Sequence, residues 1–226
     1  MQFDILSLFP EYFESPFQVS MLKRAKEKGL VRISLKNIRD FSKDKHQKVD
    51  DKPYGGGPGM LLSAEPILDA IASVKTEESY VVYLTPQGKL LTPETCKRLA
   101  TKKHVILLCG HYEGIDERVI ESEVDEEISI GDYVLTSGCP AAVVLVDSVV
   151  RFIPGVLGNP EGAKSDSFEK DGILEGPQYT RPYSFRGNTV PEVLLSGNHA
   201  EIEKYKKEKG LQKVKENRPD LFAKKS

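Results

Sequence analysis

The stretch YVVYLTPQGKLLTPETCKRLATKKHVILLCGHYEG, residues 80–114, sets two short apolar runs on either side of a polar segment, and this alternation decides the fold class. YVVYL (80–84) and HVILLC (104–109) are continuous apolar runs of strand length, the pattern of strands covered on both faces. Between them Thr92 and Pro93 open a helix as cap and first residue. Strand, helix, strand implies a parallel pair joined by a crossover, hence an α/β protein with a parallel sheet and flanking helices.

The same grammar extends in both directions. Phe3 to Phe9 is a short apolar run closed by Pro10 and reads as an opening strand. Ser15, Pro16 and Gln18 form an S-x-x-Q capping box, so a helix is expected from there to the stop at Gly29. Val31, Ile33 and Leu35 alternate with polar residues as a strand does. KHQKVDDKPYGGGPGM (45–60) is a long loop, because its glycines and prolines suit neither helix nor strand. Ser63 caps a helix to Lys75 with Ile67, Leu68 and Ile71 on one face, and a helix at 117–124, a strand at 127–130 and an apolar helix at 141–152 follow. Past Pro154 periodicity fades into an extended linker, and residues 192–222 read as helical and basic. The expected division is an α/β domain over 1–158, a linker over 159–178 and a small all-α domain over 179–226.

Composition excludes several classes. With 39% hydrophobic and 29% charged residues the chain can bury a core and is not disordered as a whole. No apolar run reaches membrane-spanning length and Met1 to Pro10 has no basic region ahead of an apolar one, so a cytoplasmic location without membrane contact is expected. Cys96, Cys109 and Cys139 lack a CxxC pair, which argues against a disulfide framework or structural zinc and for buried thiols. The four histidines have no ligand spacing, so no metal site is expected from these residues. The net charge of −2 hides a local +4 over Glu201–Ser226, from nine Lys or Arg against five Asp or Glu, a candidate contact for phosphates.

Three segments fall where the carboxyl ends of parallel strands emerge, the usual ligand edge of open α/β sheets: TPQG (85–88), GHYEG (110–114) and IGDYVLTSG (130–138). Any one of them alone reads better as a tight turn, and it is the three together that point to a ligand site. None matches a dinucleotide or nucleoside triphosphate loop, so the ligand need not carry phosphate. Arg151, ending the apolar helix, and Asp166, in the linker, are opposite charges that spacing alone leaves as ordinary surface residues.

Across nearly its whole length the sequence resembles the bacterial tRNA (guanine-N1)-methyltransferases of the SPOUT class. The resemblance rests on VDDKPYGGGPGM (49–60), LTPQG (84–88), CGHYEGIDERV (109–119), SIGDYVL (129–135), DSVVRFIPGVLG (147–158), DSF (166–168), YTRP (179–182) and VLLSGNHAEI (193–202). It implies a deep trefoil knot late in the α/β domain, where the three loops hold S-adenosylmethionine in a bent shape. By the family pattern Leu84, Thr85, Pro86, Gly110, Tyr112, Glu113, Gly114, Ile130, Gly131, Asp132, Tyr133, Val134, Leu135 and Gly138 would bind that cofactor. The resemblance further implies a homodimer with active sites at the subunit interface, tRNA as partner, and magnesium for activity with Glu113 as a participant.

Within that resemblance Arg151 and Asp166 acquire roles: Asp166 as the base that removes the N1 proton of guanine, Arg151 as the cation stabilising charge on O6. The target would be the guanosine 3′ of the anticodon, flipped out, with the basic helices at 204–225 gripping phosphates. Two departures stand out. Ser137, Gly138 and Cys139 occupy places where the family reads glycine-glycine-glutamate, and His111 stands where arginine is common. Ser137 then needs a backbone conformation open to a non-glycine residue. Competing expectations are a knotted methyltransferase acting on another RNA or on a ribose hydroxyl, and a non-catalytic RNA-binding protein.

Overall fold

The structure, a computed structural model, describes residues 1–158, 166–168 and 174–223. The chain forms two compact units, Met1–Gly158 and Asn159–Ser226.

The first unit is a five-stranded, wholly parallel sheet in the order β2-β1-β6-β5-β7. The strands are β1 (Gln2–Ser7), β2 (Arg32–Asn37), β5 (Ser79–Leu90), β6 (His104–Cys109) and β7 (Glu126–Ser129). A short antiparallel pair, β3 (Asp50–Asp51) with β4 (Leu61–Leu62), ties the ends of the glycine-rich loop. Every residue of central strand β6 is buried, because helices cover both faces of the sheet. On one face Ile5, Val82, Leu84, Leu107 and Ile128 pack against α1 (Ser20–Glu27), α3 (Pro93–Ala100) and α5 (Cys139–Val150). On the other, Leu6, Val81, Ile106 and Leu108 pack against α2 (Ala64–Ala72) and α4 (Glu117–Glu123). The two-residue alternation of side chains along each strand produces these two cores.

At the amino ends of the strands a buried polar chain crosses the sheet. Gln2 Nε2 donates to Asp4 Oδ2 at 2.6 Å, His104 Nε2 meets the same oxygen at 2.6 Å, and His104 Nδ1 meets Ser79 Oγ at 2.8 Å. Asp4 is only 2% exposed, so these bonds are what permit a carboxylate there.

Several expectations are corrected. No helix starts at Ser15, whose side chain makes no capping bond; Pro16–Gln18 is a short 3₁₀ turn and α1 begins at Ser20. The physical reason is Ser20 itself, whose φ of +51° prevents one continuous helix. Helix α2 ends at Ala72 and Ser63 gives no side-chain cap, its N–H donating instead to Val49 O at 2.8 Å. Helix α5 begins and ends two residues before the expected 141–152. TPQG is not simply a turn. Strand β5 continues to Leu90, and its register against Ile128 of β7 is taken up twice, by Leu84 and again by Lys89, so 85–88 bulges outward.

The second unit contains α6 (His199–Asn217) and α7 (Asp220–Ala223), with a 3₁₀ turn at Glu192–Leu195. It is not purely helical: β8 (Ser184–Phe185) and β9 (Asn188–Thr189) form a hairpin around Gly187, which has φ +83°. Of the expected linker, 159–165 and 169–173 lie outside the described residues. Among the described residues no helix is long and apolar enough to cross a membrane.

Candidate active site

Strands β5, β6 and β7 all point their carboxyl ends at one cavity of about 500 Å³. The three loops expected there wall it. Leu84, Thr85 and Pro86 come from the β5 bulge; Gly110, Tyr112, Glu113 and Gly114 follow β6; Ile130, Gly131, Tyr133, Val134, Leu135 and Gly138 follow β7. Asp132 is exposed and does not line the cavity, while the Tyr133 ring folds back so that its hydroxyl donates to Ile130 O at 3.3 Å. The wall also contains residues outside the three expected loops that sequence reading missed, among them Tyr83, Glu117, Ile128 and Ala141. Tyr83 and Ile128 carried only a strand signal, and their nearness to the loop ends was the available clue.

Close backbone approach holds the loops together. Gly138 N–H donates to Gly110 O at 2.9 Å, and a Cβ on Gly138 would lie 3.0 Å from the Cys109 Cα. At the other rim a Cβ on Gly88 would meet the Glu127 carbonyl carbon at 2.4 Å, so the bulge crosses β7 only as glycine. Ser137, the departure from glycine, has no left-handed backbone; of residues 137 and 138, the need for a bare backbone falls on Gly138. Tyr112 does adopt φ +58°, a conformation that costs free energy for a bulky residue and puts strain beside the cavity. The loop after β6 is braced from outside, Glu113 N–H donating to Met60 O at 3.1 Å and Leu62 N–H to Gly114 O at 3.0 Å.

The electrostatics are mostly neutral. Burial, with the nearby carboxylate of Glu127, pushes the Tyr83 hydroxyl up to about 12, so it stays protonated. Burial and the Arg39 cation hold His111 below the ordinary histidine range; its ring lies 4.8 Å from Phe9 and its buried Nδ1 has no hydrogen-bond partner among the described residues. Glu113 and Glu117 are the carboxylates in the wall. Among the described residues no group of three His, Cys, Asp or Glu is placed to hold a metal. The cavity thus suits an uncharged or cationic ligand held by backbone groups and apolar contact, not a phosphate.

Arg151 is the C-cap of α5, exposed and outside the cavity lining; Asp166 lies half-buried in the second unit. In that unit Tyr179, Arg181, Tyr183 and Lys206 share a cleft with Leu194, Leu195 and Ile202.

Fold and site together define a parallel α/β protein with a ligand cavity at the carboxyl edge of its sheet, walled by loops without a phosphate cradle. A family model described as tRNA (Guanine-1)-methyltransferase TrmD matches residues 1–224, and the chain belongs to that family. It is 61% identical over 220 residues to the tRNA (guanine-N(1)-)-methyltransferase of Protochlamydia amoebophila, covering 97% of this chain and 99% of that one. It is 60% identical over 222 residues to the protein of the same name from Chlamydia pneumoniae, where it covers 98% of this chain but 61% of the longer relative. The corresponding Chlamydia muridarum protein is 58% identical over 222 residues, and the match spans 98% of this chain and 62% of that one.

Proposed function

We propose that this chain moves a methyl group from S-adenosylmethionine to N1 of the guanosine at position 37 of tRNA, next to the anticodon on its 3′ side. The observation that carries the reading is the family match over 1–224, which takes in all three loops that wall the cavity. The residues present fit the cofactor. Leu84, Ile130, Leu135 and Ala141 offer apolar contact for an adenine, and the loop carbonyls offer dipoles to a cation. When bound, S-adenosylmethionine supplies a methyl carbon made electrophilic by positively charged sulfur.

The protein's own task is to make guanine N1 a nucleophile, since N1 carries a proton at neutral pH. In this reading the Asp166 carboxylate accepts that proton as N1 attacks, and the Arg151 guanidinium donates to O6, where negative charge develops. Tyr112, Tyr133 and Val134, exposed at the rim, exclude water once RNA covers the cavity. Magnesium finds no three-residue cage among the described residues, and Glu113 and Glu117 are the wall carboxylates that would attract it.

The Gly138–Gly110 tie belongs, in this reading, to the deep trefoil knot of the SPOUT class. The second unit grips tRNA: α6 carries Lys204, Lys206, Lys207, Lys209, Lys213 and Lys215, and its neighbouring cleft adds Tyr179, Tyr183 and Arg181 as stacking and phosphate-binding groups. A homodimer, with Arg151 and Asp166 brought to each active site at the subunit interface, and a cytoplasmic location among tRNA substrates complete the proposal.

The test is transfer of labelled methyl to tRNA transcripts with guanosine or adenosine at that position, with 1-methylguanosine identified by mass spectrometry. Label confined to guanosine, and lost in Asp166→Ala while cofactor affinity holds, is expected. Normal turnover by Asp166→Ala removes the proposed base, and absence of label despite cofactor binding overturns the substrate.

A further inference from the structure

Cys109 ends β6 and Cys139 opens α5, and the fold brings these two buried residues together. Gly138, just before Cys139, sits so close to β6 that its own Cβ would lie 3.0 Å from the Cys109 Cα. Gly138 N–H donates to Gly110 O at 2.9 Å, and Cys139 Sγ lies 3.1 Å from Oγ of Ser7, which follows Leu6 on β1 as Cys109 follows its register partner Leu108 on β6. Backbones this close fit the few ångströms between Cα atoms that a disulfide bridges.

The sulfurs are chemically unequal. The neighbouring Cys139 and burial push the Cys109 thiol up, whereas the neighbouring Cys109, with the Ser7 and Ser137 hydroxyls, draws Cys139 down to about 6 against the opposing effect of burial. As the first residue of a twelve-residue helix, Cys139 also faces backbone N–H dipoles that favour a thiolate.

We propose that Cys109 and Cys139 are a reversible oxidation site, closing to a disulfide under peroxide beneath the wall of the cavity. The Cys139 thiolate attacks one peroxide oxygen, the O–O bond breaks, and hydroxide leaves and is protonated to water, giving a sulfenic acid. The Cys109 sulfur then attacks that sulfenic sulfur, losing its proton, and the S–O bond breaks to release a second water. Two thiols lose two electrons and one peroxide gains them. Both thiols are buried and neither lines the cavity, but Gly110, Ser137, Gly138 and Ala141, which flank them in the chain, do, and peroxide reaches the thiols past these residues.

An S–S bond of about 2.05 Å is far shorter than any contact between unbonded sulfurs, so closure draws the end of β6 toward the start of α5. That contact has no slack, and the displacement falls on Gly110 and Gly138, whose backbones wall the cavity. Oxidation should therefore weaken the cofactor, a consequence that rests on the proposed function.

The experiment treats the full chain, Cys139→Ser and Cys109→Ser with hydrogen peroxide. Remaining thiols are alkylated, linked peptides are mapped by mass spectrometry, and S-adenosylmethionine affinity is measured by calorimetry before oxidation, after it and after dithiothreitol. A Cys109–Cys139 linked peptide in the unaltered protein alone, with affinity at least tenfold weaker and restored by dithiothreitol, is expected. Three alkylated cysteines, or over-oxidised Cys139 without a link, overturns the site, and a linked peptide with unchanged affinity overturns its consequence. Reduced protein that binds no S-adenosylmethionine refutes the proposed function instead, and the linked peptide still decides the oxidation site.

Discussion

Gly138→Ala isolates the close approach that closes the cavity. Glycine here has φ −73° and ψ −8°, a backbone that alanine adopts without strain, so the substitution tests space alone. The added methyl would lie 3.0 Å from the Cys109 Cα, 3.1 Å from the Gly110 nitrogen and 3.3 Å from the Cys109 carbonyl carbon. All three are backbone atoms of a central strand and its loop, so relief requires α5 to move outward. Overpacking of this kind costs about 1–3 kcal/mol, against roughly 0.4–1 kcal/mol returned by a stiffer unfolded chain. If the strain is released by opening the loops after β6 and β7, the cofactor meets it on binding, and about 1.4 kcal/mol corresponds to a tenfold weaker Kd. Calorimetry with S-adenosylmethionine should show a loss of about tenfold by this reasoning. Gly158→Ala serves as control, since a Cβ there has nothing within 4 Å. A Kd for Gly138→Ala within twofold of the control would refute the argument.

Two further outcomes follow from buried polar groups. His104→Ala leaves the Asp4 carboxylate, 2% exposed, with Gln2 as its remaining side-chain donor; losing one partner of a buried pair costs about 3–5 kcal/mol, or roughly 10 °C in Tm for a chain of this size. Because this network sits at the amino ends of the strands, cofactor affinity measured below the new Tm should not change, and a Tm within 2 °C of the unaltered protein would sink the assignment. The Cys139 thiol, held at about 6 against an ordinary 9.0, is a group whose folded value is depressed. Its contribution to stability is therefore full above the unfolded value and is lost as pH falls toward 6. Denaturant unfolding should show the stability of the unaltered protein rising between pH 6 and 9, by at most about 1.4 kcal/mol per pH unit, relative to Cys139→Ser. Above that window the raised Cys109 thiol opposes further gain. Parallel pH profiles for the two proteins would mean that Cys139 is not a thiolate.

The parallel sheet was readable in the sequence because buried strands announce themselves locally, as YVVYL and HVILLC do, and the Thr92 cap is a local bond, Thr95 N–H donating to Thr92 Oγ1 at 3.3 Å. What escaped was set by partners far along the chain. TPQG looks like a turn by its proline and glycine, but Lys89 and Leu90 find Ile128 and Ser129 on β7, and that pairing carries the strand past the bulge. The capping box at Ser15 has the right letters, yet the left-handed backbone of Ser20 divides the segment, and no letter pattern in Ser15–Gln18 reveals it.

The cavity follows the same division. Thirteen of the fourteen proposed cofactor residues line it, because strand ends fix where loops emerge, whereas Asp132 points to solvent, since which residue of a loop faces inward depends on the loop's own folding. The SGC departure at 137–139 shows the limit most clearly. Read as letters, it puts the loss of glycine at Ser137 in question. Within 137–139 the fold requires a bare backbone only at Gly138, which the sequence keeps, and the acidic place is taken by a thiol whose neighbour, Cys109, ends strand β6 far back in the chain. A substitution that looks like damage to a motif thus becomes, through one nonlocal contact, a pair of sulfurs beneath the cavity wall.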